Sequence, residues 1–281
     1  MGERSFSGVS TIDAGRLALA LAPALTPDGV DDDPSFFHGL ARHPVVLGQG
    51  LLALADVTAT RYFQYVPTAL RDPVLTAHGD RLRAECFSAC NGVYARFDIL
   101  ADGLADGTIG RGTTNVDINL PMRMSLNRIR RTELFHLDVG TDGLTASTPR
   151  QTTNERPVAM PDRWIRALGN VAELHHGATA AFHLDKAATR RFLGSLPAAT
   201  ATAERGWLVA GRGGARLSKR AVPDGVFVHG LNRLDVLRRM LLHATGLTAY
   251  TTTAPPAGDG TPSLFEVELP GARPRNHRPG R

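Results

Sequence analysis

Hydrophobic and polar residues alternate most regularly between Arg81 and Leu120. Leu82, Ala84 and Cys86 alternate with Arg81, Arg83 and Glu85. Val93, Ala95, Phe97 and Ile99 alternate with Tyr94, Arg96 and Asp98. Thr114, Val116, Ile118 and Leu120 alternate with Thr113, Asn115, Asp117 and Asn119. A period of two sends successive side chains to opposite sides of an extended chain. Residues 81–87, 93–100 and 113–119 are therefore expected as three neighbouring antiparallel strands. Asn91-Gly92, both tolerant of positive φ, is expected as the tight turn between the first two. One face of this sheet would be apolar. The other would carry Arg81, Arg83, Glu85, Tyr94, Arg96, Asp98, Asn115, Asp117 and Asn119. That face reads as a contact surface, as a carboxylate cluster built from Glu85, Asp98 and Asp117, or as a wet sheet face whose cross-strand Arg–Asp pairs set register.

A wide apolar stripe from Val45 to Tyr62 predicts a helix, with Pro44 in its first turn and Gly48 and Gly50 weakening its start. Val74 to Thr76 should form a hairpin with the strand from Arg81, turning at His78-Gly79-Asp80. Pro121 opens a short helix through Met122, Leu126 and Ile129. Residues 135–139 and 144–148 form a hairpin, and 150–156 reads as a polar linker. A short helix follows around Trp164, Ile165 and Leu168, and Asp185 is placed to cap a helix at 186–196. Residues 207–210 and 215–218 form another hairpin. Leu231 to Ala244 reads as a helix ended by Gly246, and 247–252 and 264–269 are the last strands, split by a Pro/Gly loop at 254–262. Phe36 and Phe37 should dock onto the body.

The fold class is α+β: antiparallel hairpins packed with several helices. The regions are an irregular segment (1–35), a helix with the central sheet (36–148), a second hairpin and helix region packed on it or continuing it (149–270), and a disordered basic tail (271–281). Leu137-Asp138-Val139-Gly140 with Gly143 and Ser147 is echoed by Leu208-Val209-Ala210-Gly211 with Gly214 and Ser218. Met160-Pro161-Asp162 is echoed by Val222-Pro223-Asp224. The echoes suggest a weak internal duplication; chance similarity of two hairpins would look the same.

With 281 residues the chain can bury a large core. The net charge of +5 is nearly all arginine, since Lys186 and Lys219 are the only lysines. This permits contact with nucleic acid, but the arginines are scattered and form no block with interleaved aromatics outside the tail. Two cysteines, Cys86 and Cys90, exclude a disulfide scaffold and fit a reducing cytoplasm. No secretory leader is read at the start, and no apolar run reaches membrane-spanning length.

No Walker A loop, nucleophile elbow, HExxH or EF-hand loop occurs. Gly211-Arg212-Gly213-Gly214 lacks the spacing of a dinucleotide loop and reads as a hairpin turn. His175, His176 and His183 lack a cysteine pair or acidic partners at metal-ligand spacing, so they read as surface or loop residues. His136, His229 and His243 read as packed or solvated. Neither a metal nor a cofactor is predicted. Glu85, Asp98 and Asp117 are the one acid/base cluster worth weighing, as paired carboxylates can run hydrolysis.

Several strings in combination resemble a known family. They are Pro34-Ser35-Phe36-Phe37-His38-Gly39, Gly50 to Val57 with Arg61-Tyr62, Gly79-Asp80-Arg81-Leu82-Arg83, Phe87 to Arg96, and Gly112 to Asn119. They are similar to the N-terminal region of actinobacterial SWIM zinc-finger proteins, and Pro161-Asp162-Arg163-Trp164 and Arg191 to Pro197 extend the likeness. The SWIM finger, Cys-x-Cys followed by Cys-x-His, is absent: no cysteine follows Cys90. The resemblance carries over no zinc ligand and implies a truncated member keeping the region before the finger.

It also implies a non-enzymatic module binding protein or nucleic acid, beside a MoxR-type ATPase or a von Willebrand factor A protein. Its contact face would comprise Glu85, Tyr94, Arg96, Asp98, Asn115, Asp117, Asn119 and Arg123. The alternative is a hydrolase using Glu85, Asp98 and Asp117. Convergence of those carboxylates in a cleft would favour the enzyme; acids each paired to arginine would favour the module.

Overall fold

The computed structural model describes residues 11–13, 16–18, 24–26, 29–31, 35–62, 72–159, 162–252 and 262–270. The tail 271–281 and most of the expected loop at 254–262 lie outside the described residues. The N-terminal segment is not wholly irregular. It contains two small hairpins, β1 (Thr11–Asp13) with β2 (Arg16–Ala18) and β3 (Ala24–Thr26) with β4 (Gly29–Asp31).

The body begins with β5 (Phe37–Ala41) and α1 (Pro44–Thr58). Leu51, Leu52, Leu54 and Ala55 of α1 are buried at 2% exposure or less. Gly50 makes room for a packed ring: a Cβ there would lie 2.6 Å from the Phe97 ring. Next come β6 (Val74–His78), β7 (Arg81–Phe87), β8 (Tyr94–Leu100), β9 (Leu104–Ile109), β10 (Arg111–Asn115) and α2 (Leu120–Asn127). The first unit closes with β11 (His136–Gly140), β12 (Gly143–Thr148) and β13 (Gln151–Glu155). Its strands make two antiparallel sheets, ordered β10-β6-β7-β8 and β13-β12-β11-β5-β9.

Helix α3 (Asp162–His176) leads to β14 (Ala178–Asp185) and α4 (Lys186–Ser195). Then follow β15 (Gly206–Gly211), β16 (Gly214–Ser218), β17 (Val226–Val228), a 3₁₀-helix Leu231–Met240, β18 (Gly246–Thr252) and β19 (Ser263–Glu268). The second unit holds sheets β17-β15-β16 and β14-β18-β19. The described residues form two apolar cores. One contains Phe36, Leu51, Leu137 and Trp164; the other contains Leu184, Phe192, Leu193 and Leu247.

The two units repeat one topology. In each, a strand and a helix are followed by a hairpin, further strands (three in the first unit, one in the second), a helical segment and a closing hairpin, to which the first unit adds β13. Four antiparallel pairings recur: β5·β11 as β14·β18, β11·β12 as β18·β19, β6·β7 as β15·β16, and β10·β6 as β17·β15. A duplication is thus visible in the strand order, but the hairpins matched by sequence are not equivalent ones. β11–β12 corresponds to β18–β19, and β15–β16 to β6–β7.

Several expectations are corrected. The third strand of the central pattern stops at Asn115 and pairs with β6, so β6 and β7 separate it from β8. The turn at Asn91-Gly92 is not a two-residue hairpin. Residues 88–93 form a longer loop, closed by Ser88 N to Val93 O at 2.8 Å, with Asn91 at φ 54°. The polar linker contains β13, which extends the first unit's sheet, and α3 is longer than expected. The last predicted helix is 3₁₀ over Leu231–Met240. No helix among the described residues is long and apolar enough to cross a membrane.

Candidate interaction site

The central sheet is covered on both faces. On the apolar side α1 packs against β7 and β8, and the Cys86 thiol reaches the Leu54 carbonyl at 3.5 Å. On the polar side lies α3. Trp164 meets Phe87 with ring centroids 5.8 Å apart, and His175 meets Tyr94 edge-on at 5.9 Å. Between these contacts the polar residues pair across strands, Arg83 opposite Asp98 and Glu85 opposite Arg96.

Asp98 is the hub. Arg83 Nε donates to it at 2.9 Å, and Arg96 and Arg81 approach at 3.3 and 3.6 Å. The Tyr94 hydroxyl donates to Glu85. Burial, then the Glu85 charge, pushes the Tyr94 phenol well above its ordinary value. Burial and the nearby Arg96 and Arg83 lower the His175 imidazole below its ordinary value.

Beside this face is a cavity of about 700 Å³ between the two units. Its sides are β8 and β19, each the last strand of its sheet among the described residues. Helix α3 and the 3₁₀-helix complete the walls. Phe97, Val171, Leu174, Leu237, Leu264 and Phe265 make much of the lining apolar, and Tyr94, Arg96, Asp98, His175, Arg233 and Glu266 supply polar groups. Glu266 accepts from the Tyr250 hydroxyl at 2.7 Å. A large, mostly apolar cleft with a few placed polar groups is the usual form of a binding site.

A three-way clasp joins the two units. Asp56 of α1 accepts from Arg123 Nη2 at 2.9 Å and from Arg239 Nε of the 3₁₀-helix at 2.7 Å. Arg239 also donates to Gln49 at 2.9 Å.

Comparison with known proteins identifies the fold. No family model matches the chain, and no curated protein matches it. Among solved structures, a chain of the PCNA2–PCNA3 complex from Sulfolobus tokodaii aligns over 84% of this chain and 100% of its own length, at 8% identity and a TM-score of 0.52. Proliferating cellular nuclear antigen from Entamoeba histolytica aligns over 84% and 98%, at 10% identity and a TM-score of 0.47. The beta sliding clamp of C. crescentus, solved with polyethylene glycol bound to a putative beta-motif tethering region, aligns over 86% and 67%, at 14% identity and a TM-score of 0.44. The Sulfolobus likeness spans both units and is a likeness of fold.

The residues expected on one face are divided between three places. Tyr94, Arg96 and Asp98 line the cavity, with Glu85 tied to Tyr94 behind them. Arg123 belongs to the clasp. Asn115, Asp117 and Asn119 lie on the far side of the sheet from β8. Asn115 is buried, and with its side-chain amide turned over the nitrogen donates to the carbonyls of Asp72 and Pro73, each at 3.0 Å. Asn119 caps α2 by accepting from Met122 N at 3.2 Å, and it donates to Glu155 at 2.7 Å. Glu85, Asp98 and Asp117 therefore do not converge: one sits under a tyrosine, one among three arginines, and the third beside Glu155. Burial, with a contribution from Asp117, pushes the Glu155 carboxyl up to about 7.

Sequence reasoning missed Glu155, which lies in a polar run with no apolar rhythm. It also missed the cavity residues of α3 and β19, which only the packing of the two units brings to β8. His175 and His176, expected at the surface or in a loop, end α3, with His176 exposed, and His183 is on β14, also exposed. Among the described residues no group of three or more His, Cys, Asp or Glu side chains is placed to hold a metal.

Proposed function

We propose that this chain is a non-enzymatic interaction module that receives an apolar segment of a partner protein in the cavity between its two units. The cavity itself carries the reading: about 700 Å³, largely apolar, and flanked by two sheet edges whose backbone groups can pair with an incoming strand. The Sulfolobus chain of like fold is named as part of a complex, which fits a module built for contact. The pairing of Asp98 with arginines supports the module over the hydrolase. The SWIM resemblance remains part of the proposal and names the partners to try first, a MoxR-type ATPase and a von Willebrand factor A protein.

A second reading, nucleic-acid backbone contact, draws on one observation. His43, Arg131, Arg190 and His243 come together from both units, and the charged groups that perturb His243 are all basic.

One experiment weighs both. Binding to the two candidate partners and to a peptide library is measured for the wild type and for Leu174→Arg. Leu174 is 41% exposed on the cavity wall, so the variant should fold. Loss of protein binding by about tenfold or more is expected, as a charge must enter an apolar cleft. Binding untouched by the variant would remove the cavity from the reading. Retention of nucleic acid instead, falling steeply with salt, would move it to the basic group.

A further inference from the structure

The cavity between the units is rich in hydrogen-bond donors and poor in open acceptors. The Arg96 guanidinium has one ion pair among the described residues, from Nε to Asp98 Oδ2 at 3.3 Å, and its side chain is 27% exposed. Asp98 is already bound by Arg83 Nε at 2.9 Å and approached by Arg81 at 3.6 Å, so Arg96 has only a share of one carboxylate. From the second unit, the Arg233 side chain donates to Gly92 O at 3.4 Å and meets no carboxylate among the described residues. The other cavity carboxylate, Glu266, accepts from the Tyr250 hydroxyl at 2.7 Å. A guanidinium offers five N–H donors in a fork that fits a carboxylate. The open donors of Arg96 and Arg233 therefore call for acceptors from outside.

β8 sorts what can lie beside it. Tyr94, Arg96 and Asp98 share the face covered by α3, whereas Ala95 and Phe97 share the face packed by α1. Cross-strand neighbours lie on the same face, so alternate residues of a strand laid against β8 would meet Arg96 on one side and Phe97 on the other.

We propose that the cavity receives an extended partner segment in which aspartate or glutamate alternates with apolar residues. Its carboxylates are received by Arg96 along β8 and by Arg233 beside the start of that strand, and its apolar side chains lie on the Phe97 side. This rests on the cavity reading above and names the chemistry of the occupant. A basic segment would meet arginines instead, and like charges across an interface are costly.

Three peptides of about ten residues serve as probes for the whole chain. One alternates leucine with glutamate, one alternates leucine with lysine, and the third holds the leucines and glutamates of the first in two blocks. At low salt the alternating acidic peptide should bind about tenfold or more tightly than either of the others. That preference should shrink toward onefold in Arg96→Gln/Arg233→Gln and persist in Arg216→Gln, an exposed arginine of β16 outside the cavity. Should the double variant not fold, Arg233→Gln alone is read and should lose severalfold in affinity for the acidic peptide, since its one hydrogen bond in the chain is long. Equal binding of the acidic and basic peptides overturns the carboxylate preference and leaves the cavity reading standing. Equal binding of the two acidic peptides overturns the strand. A preference untouched by the arginine variants overturns the assignment to Arg96 and Arg233. Binding of none of the three overturns this proposal and the cavity reading together.

Discussion

Asp98 shows how much one carboxylate can organise. Three guanidiniums surround it, and its side chain is only 17% exposed. Removing it leaves Arg83 part-buried beside other cations. Asp98→Ala should therefore cost about 1–3 kcal/mol in urea unfolding, more than an exposed ion pair contributes. Adding Arg83→Ala should recover part of that loss, so the double-mutant cycle reports a coupling near 1 kcal/mol. A coupling of zero would mean the pair is a solvated ornament of the sheet. This pair was legible, because alternation along two adjacent strands places Arg83 and Asp98 on one face and only the register had to be found. Asp117 and Asn119 were not. Their alternation continues past Asn115, but Asn119 with Pro121 starts a helix, and the capping bond to Met122 turns the chain out of the sheet. The tool that reads a strand cannot see where a cap overrides it.

At the scale of elements, the same contrast between local and distant causes decides what a sequence reveals. Helix α4 was legible to its cap: Asp185 accepts from Ala188 N at 2.8 Å, a bond made within one turn. Asp185→Ala should cost about 1 kcal/mol, and Asp185→Asn should recover most of it, as thermal unfolding can show. Equal losses in both would point to charge near the helix start in place of the capping bond. Strand β14 follows α3 almost directly and was missed for a different reason. A register shift between Ala180 and Phe182 interrupts the period of two, so alternation is confined to the four residues Phe182-His183-Leu184-Asp185. β13 is an edge strand of threonine, asparagine and glutamine, polar because one side faces water. The 3₁₀-helix did leave a signal. Leu231, Leu234, Leu237 and Met240 recur every three residues, the repeat of a 3₁₀ turn and not of an α-helix.

The whole molecule adds what no single element contains. Its repeat is carried by strand order and pairing, not by residues, which is why the echo in sequence matched the wrong hairpins. Each unit has its own core, and the cavity exists only because the units are held at one spacing. The Asp56 clasp joins α1 and α2 of the first unit to the 3₁₀-helix of the second through charge-assisted bonds, which are stronger than neutral ones. Asp56→Ala should lower stability by about 2 kcal/mol and leave both Arg123 and Arg239 without that partner. Arg239→Ala should weaken the same junction, and the two changes together should cost less than their sum, because either one breaks the clasp. Calorimetry provides a second view: if the clasp couples the cores, its loss should broaden a single unfolding transition toward two. Strict additivity with an unbroadened transition would show that the units are held by the apolar packing of α1 on the 3₁₀-helix alone, and the width of the cavity would then be set by that packing.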